Sequence, residues 1–582
     1  MDYSIRICGE AGQGIQTVGD ALSKVFARTG YHVFTHQDYE SRIRGGHNFY
    51  QVRVADRPLT AARDRIDILV AFDRDGMDKD AAYVVEQGRI IYDSGALKQK
   101  FEGPKFLDIP FTALSLEHGG SRIMANTVAT GAVLGMLGMD MGILLNIISD
   151  TFQKKGEDVI KANVSAASAG YDFAVKECVD CSFPSAVRAE PKMLIAGIDA
   201  IGLGALASGC KFFAAYPMTP STGIMNYLAG KAEEFGIVVE QAEDEIAAIN
   251  MALGASFAGV RAMTATSGGG FALMVEGLSL AAMTETPIVI GLGQRPGPAT
   301  GFPTRTEQAE LQFALYTAHG EFPRIIFAPG DPEQALYLTN KAFELSEKYQ
   351  VPAFVIFDQY LADSQWTHAG FDMNQLVYTD YRLRADSLNG LTDYKRHAYA
   401  ETGVSPMAVP GESRHVVVTD SDEHNEDGHI IEDAETRKRM VEKRLFRKFP
   451  LIQKEIKPPL FYGDAGPEIV LVGWGSTYGV IKEAVDALSP PHPPLGKGGM
   501  RGGIAMLHFS EIFPFPGTEE FDFLALLGRA KKAICIENNA TGQFARLMKA
   551  ETGFEFAVRI NRYDGRPFTV EDLLGELHGH IG

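Results

Sequence analysis

The sequence predicts an α/β protein with three doubly wound domains, each built on a mostly parallel sheet. Short runs that are typical of strands alternate with longer runs of helical periodicity in three stretches of the 582-residue chain. Most of the strand-like runs are apolar at successive positions, which indicates strands covered by helices on both faces. A chain of this length is too long for one core, so several domains are expected.

The first stretch, residues 1–177, begins with a strand that leads into a glycine-rich turn. Residues 4–8 form the strand-like run, the turn reads Gly9-Glu-Ala-Gly12-Gln-Gly14, and helical periodicity follows. Further strands are predicted at residues 31–35, 66–72 and 89–92. The polar, proline-containing segment 178–191 that follows is interpreted as a linker.

The glycine-rich turn also fits a dinucleotide-binding interpretation. That chemistry uses the pattern Gly-x-Gly-x-x-Gly, whose third glycine lets the helix pack closely on the strand. Here Thr17 occupies the third glycine position. A nucleotide-binding regulatory or scaffold protein therefore stays open as an alternative, although it would leave the motifs of the second stretch unexplained.

The second stretch, residues 192–365, carries four short motifs between its predicted strands. The strands are expected at residues 212–215, 237–239, 262–265, 288–291, 325–328 and 353–357. The motifs are Tyr216-Pro-Met-Thr-Pro-Ser-Thr222, Glu243-Asp-Glu245, Thr264-Ala-Thr-Ser-Gly-Gly-Gly270 and Gln294-Arg-Pro-Gly-Pro298. They place, in order, a hydroxyl on a proline-stiffened turn, carboxylates at the start of an apolar helix, a glycine-rich strand-to-helix turn, and a guanidinium on a rigid loop.

Taken singly, each motif also has an ordinary structural interpretation. Acidic residues are common at helix starts because the helix dipole favours them, which would explain Glu245. Thr219 fits a capping turn, and a lone arginine fits a surface position. The glycine turn could hold a phosphate at a helix N-terminus, but we interpret it as a site of close packing. The order of all four motifs is what favours a function.

The rest of the chain divides into a polar segment and a third α/β stretch. Residues 366–460 are charged and poor in apolar periodicity, and we interpret them as a charged connector. Residues 461–582 return to the α/β pattern, beginning with Glu468-Ile-Val-Leu-Val-Gly-Trp-Gly475 and continuing through strands near 504–508 and 533–537. Within this stretch, residues 489–503 are of low complexity and predict a flexible surface loop.

In their order, the four motifs resemble the pyrimidine-binding domain of the 2-oxoacid:ferredoxin oxidoreductases, which are thiamine diphosphate enzymes. Residues 1–177 resemble the gamma subunit of that family, including the segment Tyr39-Glu-Ser-Arg-Ile-Arg-Gly-Gly-His-Asn48. Residues 461–582 resemble its transketolase C-terminal-like domain. The chain is thus similar to a fused alpha subunit of a two-subunit enzyme, most like those acting on 2-oxoglutarate.

The resemblance implies roles for particular residues. Glu245 matches the catalytic glutamate that bonds the pyrimidine ring of the cofactor, with Glu243 as the near alternative. The other implied contacts are Thr219, Arg295 and Thr304 for the 2-oxoacid, Pro217, Ser267 and Gly268 for the cofactor, and Gly12, Gly14, Arg42 and Arg44 for coenzyme A.

The family's diphosphate-binding motif, Gly-Asp-Gly followed by a downstream Asn, is not found in the sequence. Gly463-Asp-Ala comes near it but lacks the last glycine and the Asn. The resemblance therefore implies that a beta subunit carries the diphosphate site, Mg²⁺ and a 4Fe–4S cluster, in an (αβ)2 heterotetramer that reduces ferredoxin. The implied reaction converts 2-oxoglutarate or another 2-oxoacid with coenzyme A into acyl-CoA and CO2, reversibly. A self-contained transketolase-like enzyme is the other alternative.

Charge, hydropathy and cysteine spacing argue against a nucleic-acid-binding, secreted, membrane-spanning or metal-binding chain. The net charge of −19 argues against a nucleic-acid surface. The N-terminus lacks a signal-peptide pattern, and the membrane-like run 128–145 is interrupted by Asp140 and glycines, so a buried helix pair in a cytoplasmic protein is expected. Cys178-x-x-Cys181 has half the spacing of a metal site, and no metal is predicted on this chain.

Overall fold

The computed structural model describes residues 1–42, 45–178, 181, 183, 189–489 and 503–581. Arg44, most of the predicted linker 178–191 and residues 490–502 of the predicted surface loop lie outside the described residues. The chain forms two compact units, one of residues 1–196, 363–371 and 569–582, the other of residues 197–362 and 372–568. The five-segment domain division drawn from the sequence stays a prediction.

Strands and helices alternate along most of the chain. Residues 1–196 form β1 (Asp2–Ala11), α1 (Ile15–Arg28), β2 (His32–Asp38), β3 (Gly45–Ala55), β4 (Ile66–Ala71), α2 (Arg74–Asp80), β5 (Val84–Tyr92), α3 (Ser94–Leu97), β6 (Phe106–Asp108), α4 (Phe111–Gly119), α5 (Ala125–Met136), α6 (Met141–Phe152), α7 (Glu157–Glu177) and β7 (Met193–Ala196). Residues 197–371 form α8 (Gly197–Ala207), β8 (Cys210–Ala215), α9 (Thr222–Ala229), α10 (Ala232–Phe235), β9 (Val238–Gln241), α11 (Glu245–Phe257), β10 (Arg261–Ser267), α12 (Gly268–Phe271), α13 (Val275–Met283), β11 (Ile288–Gln294), α14 (Leu311–Tyr316), β12 (Ile325–Phe327), α15 (Pro332–Tyr349), β13 (Pro352–Asp358), α16 (Gln359–Asp363) and β14 (Gln365–His368). Residues 372–581 form β15 (Arg382–Leu383), α17 (Ala385–Asn389), β16 (Met407–Ala408), α18 (Ala434–Val441), α19 (Phe449–Gln453), β17 (Leu460–Gly463), β18 (Pro467–Trp474), α20 (Tyr478–Leu488), β19 (Gly503–Phe509), β20 (Glu511–Phe513), α21 (Phe523–Arg529), β21 (Lys532–Glu537), α22 (Gln543–Thr552), β22 (Val558–Asn561) and α23 (Val570–Ile581).

The first unit is built on an eight-stranded sheet of order β6-β5-β4-β1-β3-β2-β14-β7. The four strands from β6 to β1 are parallel, and the remaining neighbours are antiparallel. The predicted strands at 4–8, 31–35, 66–72 and 89–92 are present as β1, β2, β4 and β5. The sequence did not reveal β3, because its buried positions include polar side chains. One of these, Arg53, is 1% exposed and donates to the Asp2 carboxylate at 2.9 and 2.8 Å.

Helices α5, α6 and α7 show why the run 128–145 is so apolar. The run spans α5 and the start of α6. Asp140 lies between the two helices and is the N-cap of α6, where it accepts a hydrogen bond from the Gly142 amide at 2.9 Å. A Cβ on Gly131 would lie 2.0 Å from the Ala167 carbonyl oxygen, so α5 and α7 touch backbone to backbone. The prediction of buried helix is confirmed for α5, but its close partner is α7 rather than α6, of which only Leu144, Ile147 and Ile148 are buried. Among the described residues no helix has the length and hydropathy to cross a bilayer.

The second unit contains two larger sheets, of order β20-β12-β13-β11-β10-β8-β9 and β17-β19-β18-β21-β22. In the first, every pair is parallel except β12 with β20; in the second, only β17 is antiparallel to its neighbour. All six strands predicted for residues 192–365 are present as β8 to β13. The two sheets share one apolar core that includes Phe271, Phe354, Trp474 and Phe544. The α/β class predicted from the sequence is confirmed, with mostly parallel sheets in the second unit, whereas the sheet of the first unit has three parallel and four antiparallel neighbour pairs.

Buried ion pairs hold the connector to the rest of the second unit. Glu285, at the end of α13, is bonded to the ammonium groups of Lys443 and Lys448, and all three are fully buried. Burial alone raises the pKa of Glu285, but the two lysines outweigh it and hold that pKa well below its usual range. Arg382 of the connector and Arg261 likewise share Glu347. Buried charge thus helps to attach this segment, together with buried apolar side chains such as Met440 and Ile452.

Candidate active site

All four sequence motifs of the second stretch lie at one edge of the seven-stranded sheet. β10 pairs in parallel with both β8 and β11, so the carboxyl ends of these three strands are adjacent. The turn 216–222 follows β8, the glycine turn follows β10, and Arg295 follows β11. Glu245 opens α11 just after β9, which pairs in parallel with β8. The carboxyl edge of a parallel sheet is where α/β proteins usually bind ligands.

The carboxylate of Glu245 is buried and lacks a protein partner on one oxygen. Asp244 caps α11 by accepting a hydrogen bond from the Ala247 amide at 2.7 Å, which leaves Glu245 inside the first turn. Glu245 is 4% exposed, and its Oε1 atom has no hydrogen-bond partner among the described residues. A buried oxygen without a donor is costly, so the site fits a ligand that donates a hydrogen bond.

The glycine turn brings two carboxyl groups against its backbone. A Cβ on Gly270 would lie 2.4 Å from Oε1 of Glu245, and a Cβ on Gly268 would lie 2.4 Å from Oε1 of Glu310. Ser267, at the start of the turn, is fully buried, and its hydroxyl has no partner among the described residues. The turn therefore packs closely beneath the site, and a β-carbon at position 268 or 270 would force these side chains to move.

Arg295 and Thr219 are in direct contact. The guanidinium Nη1 of Arg295 donates to the main-chain carbonyl of Thr219 at 2.9 Å. Arg295 is 8% exposed; burial lowers its pKa, and the nearby Glu310 partly offsets that shift. Thr219 and Pro217 are half-buried on the turn after β8. Two residues predicted to bind one substrate are thus brought together.

Thr304 lies half-buried on the loop that leads from Arg295 to α14. Gln308 fixes the far end of this loop to the five-stranded sheet region. Its amide and side chain bond the carbonyl of Asn538 at 2.6 Å, the amide of Asn538 at 2.8 Å and the carbonyl of Trp474 at 2.7 Å. The loop is therefore anchored at both ends, and Thr304 stays a predicted substrate contact.

Sequence reasoning missed Glu310. Its carboxylate Oε2 accepts a hydrogen bond from the Arg295 main-chain amide at 3.2 Å. Burial raises the pKa of Glu310 to about 8, and the neighbouring Glu307 also raises it. In the sequence Glu310 stands just before an apolar stretch, where it has the pattern of an ordinary helix start. Its position beside Arg295 becomes visible only in the folded chain, where the loop returns to the end of β11.

The residues predicted to bind coenzyme A lie in the first unit. Gly12 and Gly14 have positive φ angles of 96° and 78°, as the turn between β1 and α1 requires. Both glycines and Arg42 line a cavity of about 600 Å³, together with Tyr39 and Asn48. The Arg42 side chain is paired with Glu40 at 2.6 Å. The position of Arg44 lies outside the described residues.

Within the described part of the chain, no three His, Cys, Asp or Glu side chains are placed to hold a metal ion. Cys178 and Cys181 form a disulfide with Cα atoms 5.2 Å apart. The diphosphate-like segment at Gly463 is used structurally, because Asp464 accepts hydrogen bonds from the Ile504 amide at 2.9 Å and the Ser489 hydroxyl at 2.8 Å.

Two family models match the chain on either side of the linker. Residues 203–443 match the family described as pyruvate flavodoxin/ferredoxin oxidoreductase, thiamine diphosphate-binding, and residues 4–173 match pyruvate ferredoxin/flavodoxin oxidoreductase. The alpha subunit of a 2-oxoacid:ferredoxin oxidoreductase from a Sulfolobus species is 30% identical, covering 98% of this chain and 96% of that protein. The chain belongs to the 2-oxoacid:ferredoxin oxidoreductases. Its interpretation as a fused alpha subunit of such an enzyme is confirmed.

Further relatives cover the chain almost completely. The 2-oxoglutarate oxidoreductase subunit KorA of Mycobacterium tuberculosis is 28% identical over 94% of this chain and 87% of its own length. A solved 2-oxoglutarate:ferredoxin oxidoreductase from Magnetococcus marinus, with 2-oxoglutarate, coenzyme A and succinyl-CoA bound, superposes with a TM-score of 0.89 at 32% identity, covering all of both chains. Oxidoreductases of this family with an alpha subunit are multi-subunit enzymes, and this chain is one such subunit.

We expect Gly270→Ala to destabilise the second unit, because the added methyl group would meet the Glu245 carboxylate and the Thr266 hydroxyl at 2.4 and 2.2 Å. Such overpacking costs about 1–3 kcal/mol. Gly269→Ala is the matched control, since Gly269 is exposed and its nearest neighbour would lie 3.9 Å away. Chemical denaturation of the purified variants checks this expectation. Equal midpoints for the two variants would contradict the close packing of Glu245 on the turn.

Proposed function

We propose that this alpha subunit acts on 2-oxoglutarate together with coenzyme A. The reaction is oxidative decarboxylation to an acyl-CoA and CO2, with two electrons passed to ferredoxin, and its reverse is a carboxylation. The substrate is proposed because the solved relative that covers all of this chain contains 2-oxoglutarate, coenzyme A and succinyl-CoA. A substrate carboxylate also suits the buried guanidinium of Arg295 at this sheet edge.

The observation that carries the proposal is the buried carboxylate of Glu245, whose Oε1 atom has no partner among the described residues, at the same sheet edge as Arg295. Thiamine diphosphate, when bound, supplies the carbon nucleophile and electron sink that decarboxylation of a 2-oxoacid needs. Glu245 would accept a hydrogen bond from the pyrimidine ring at its Oε1 atom and hold a proton there. Pro217, Ser267 and Gly268 would form the surface on which that ring rests.

Arg295 would bind the carboxylate of the substrate. A guanidinium has five N–H donors, and the one bond to the Thr219 carbonyl leaves others for a two-pronged contact. That bond also fixes the guanidinium relative to the turn, so the Thr219 hydroxyl would lie close to the bound acid. Thr304, on the same anchored loop, would contact the remainder of the substrate and contribute to its selection.

We propose that a beta subunit completes the site. The sequence lacks the Gly-Asp-Gly motif, and the near match at Asp464 is already bonded within its own sheet. Large apolar side chains are also exposed on α11, which begins with Glu245, and just after the glycine turn, namely Ile246, Met251 and Leu273. Exposed apolar residues grouped around a site favour a protein partner. The beta subunit would supply the diphosphate site, Mg²⁺ and the 4Fe–4S cluster in a cytoplasmic (αβ)2 complex, and ferredoxin would dock on it.

Coenzyme A would bind at the cavity of the first unit. Gly12 and Gly14 present main-chain amides at the start of α1, where phosphate groups are favoured. Arg42 lies on the same cavity wall and is paired there with Glu40, from which a phosphate would have to take it over. Arg44 is proposed as a second cation from the sequence alone.

We expect the chain alone to be inactive and to contain no iron, whereas the complex purified with its beta subunit should reduce viologen in the presence of 2-oxoglutarate and coenzyme A. Metal analysis and the viologen assay on both samples check this. Substrate-dependent reduction by the chain alone would contradict the two-subunit assignment.

Glu245→Gln should leave the complex folded but lower its activity by about 10²–10⁴-fold, because an amide cannot hold the proton that a carboxylate holds. Exposed Glu243→Gln is the matched control and should stay near the wild-type rate. The exchange rate of the cofactor's thiazolium proton in each complex is the direct measurement. Loss of exchange in Glu243→Gln rather than Glu245→Gln would transfer the role to Glu243.

Arg295→Lys should raise the KM for the 2-oxoacid by roughly 10–150-fold, with much less change in the KM for coenzyme A. Lysine keeps the positive charge but loses the planar fork, and a lost charge-assisted hydrogen bond is worth about 1.5–3 kcal/mol. Steady-state kinetics with 2-oxoglutarate and with pyruvate check this. Similar losses for both substrates place Arg295 at the carboxylate beside the keto group, and a loss for 2-oxoglutarate alone places it at the distal one. Unchanged kinetics would remove Arg295 from the site.

A further inference from the structure

Glu310 connects the loop of Arg295 to the glycine turn. Its Oε2 atom accepts a hydrogen bond from the Arg295 amide at 3.2 Å, and its own amide donates to the Gln294 side chain at 3.4 Å. Its other carboxyl oxygen, Oε1, presses on Gly268, where a Cβ would lie only 2.4 Å away. One side chain thus contacts the two segments that frame the proposed substrate site.

An ordinary helix cap would not place the side chain in this way. Glu310 immediately precedes α14, but its carboxyl makes no capping hydrogen bond to that helix. The side chain is directed instead toward β11 and the glycine turn, and the residue is 8% exposed. The carboxyl group is therefore part of the wall behind Arg295.

Few charged groups face this carboxyl. Glu307 on its own loop and Arg295 at the end of β11 interact with it electrostatically. The glycine turn on its third side, α12, contributes no titratable side chain, and across that turn Glu245 lies against Gly270. Arg295 is thus the cation that acts on Glu310, and Glu310 is the anion that acts on Arg295.

We propose that Glu310 is a positioning residue for Arg295: its carboxyl fixes the main chain of Arg295 against the glycine turn, and its charge state sets how strongly the guanidinium attracts a substrate carboxylate. This inference rests on the proposed role of Arg295 in binding the 2-oxoacid. It adds a proton-dependent control of substrate affinity to that role.

The direction of the pH effect follows from the environment of Glu310. Burial raises its pKa to about 8, so the carboxyl is mostly protonated and neutral at pH 7. Arg295 then offers its full positive charge to the substrate. Above pH 8 the carboxyl ionises, and its negative charge competes with the substrate carboxylate for Arg295. Affinity for the 2-oxoacid should therefore fall as pH rises through about 8.

The experiment compares the KM for 2-oxoglutarate at pH 7 and pH 9 in the complete complex. In the wild type it should rise by up to about tenfold, because roughly one carboxyl in ten stays protonated one unit above a pKa of about 8. Glu310→Gln should remove the rise while keeping the pH 7 value, since an amide is always neutral and its oxygen still accepts from Arg295. The KM is the readout because the thiol of coenzyme A titrates in the same range and affects the rate.

Two further variants separate charge from shape. Glu307→Gln removes a neighbouring charge that raises the pKa of Glu310, so it should keep the rise in KM but move it to lower pH. Glu310→Ala should raise the KM at pH 7 by about threefold to tenfold, the effect of losing one hydrogen bond to the Arg295 amide, with little change in kcat. A rise that persists in Glu310→Gln, or a flat wild-type profile, overturns the inference. If Arg295→Lys leaves the KM for 2-oxoglutarate unchanged, the proposed role of Arg295 fails instead.

Discussion

Close packing of two buried carboxyl groups on one glycine turn is the constraint on which the candidate site depends. Glu245 lies against Gly270 and Glu310 against Gly268, and a β-carbon at either position would displace the carboxyl group that it meets. Through these contacts a single turn sets the distance between the helix that begins at Glu245 and the loop that carries Arg295. A site that must align a cofactor and a substrate needs such fixed separations, because small displacements of reacting groups lower rates steeply.

The loop from Arg295 to α14 is held in place by hydrogen bonds to the region of the five-stranded sheet. Gln308 makes three hydrogen bonds to Trp474 and Asn538, all of them buried. The C-terminal part of the chain thus holds the substrate loop in place, in addition to contributing to the common apolar core.

The connector adds buried charge to the second unit. Removing one partner of a buried pair such as Glu285 with Lys443 leaves an uncompensated charge, which typically costs about 3–5 kcal/mol.

The strands and the four motifs could be predicted from the sequence because their signals are local. Apolar runs marked β8 to β13, and the order of the motifs identified the family. Two kinds of feature could not be predicted. Strand β3 was not predicted because polar residues such as Arg53 occupy buried positions in it. Arg53 pairs with Asp2, which is far away in the sequence. Glu310 was missed because its partners, Arg295 and Gly268, come together only when the strands align. The roles of Glu245, Thr219, Arg295 and Thr304 in binding stay predictions that the geometry makes reasonable.

The position of β14 has a practical consequence for dividing this protein. β14, at residues 365–368, inserts between β2 and β7 in the sheet of the first unit, and α23 at the C-terminus also belongs to that unit. A fragment ending at residue 196 would therefore lack a strand from within its own sheet and would expose the edges of β2 and β7. Unpaired strand edges invite self-association. Fragments of this chain for separate expression should include residues 363–371, or replace β14 by a covalently linked copy, to avoid aggregation.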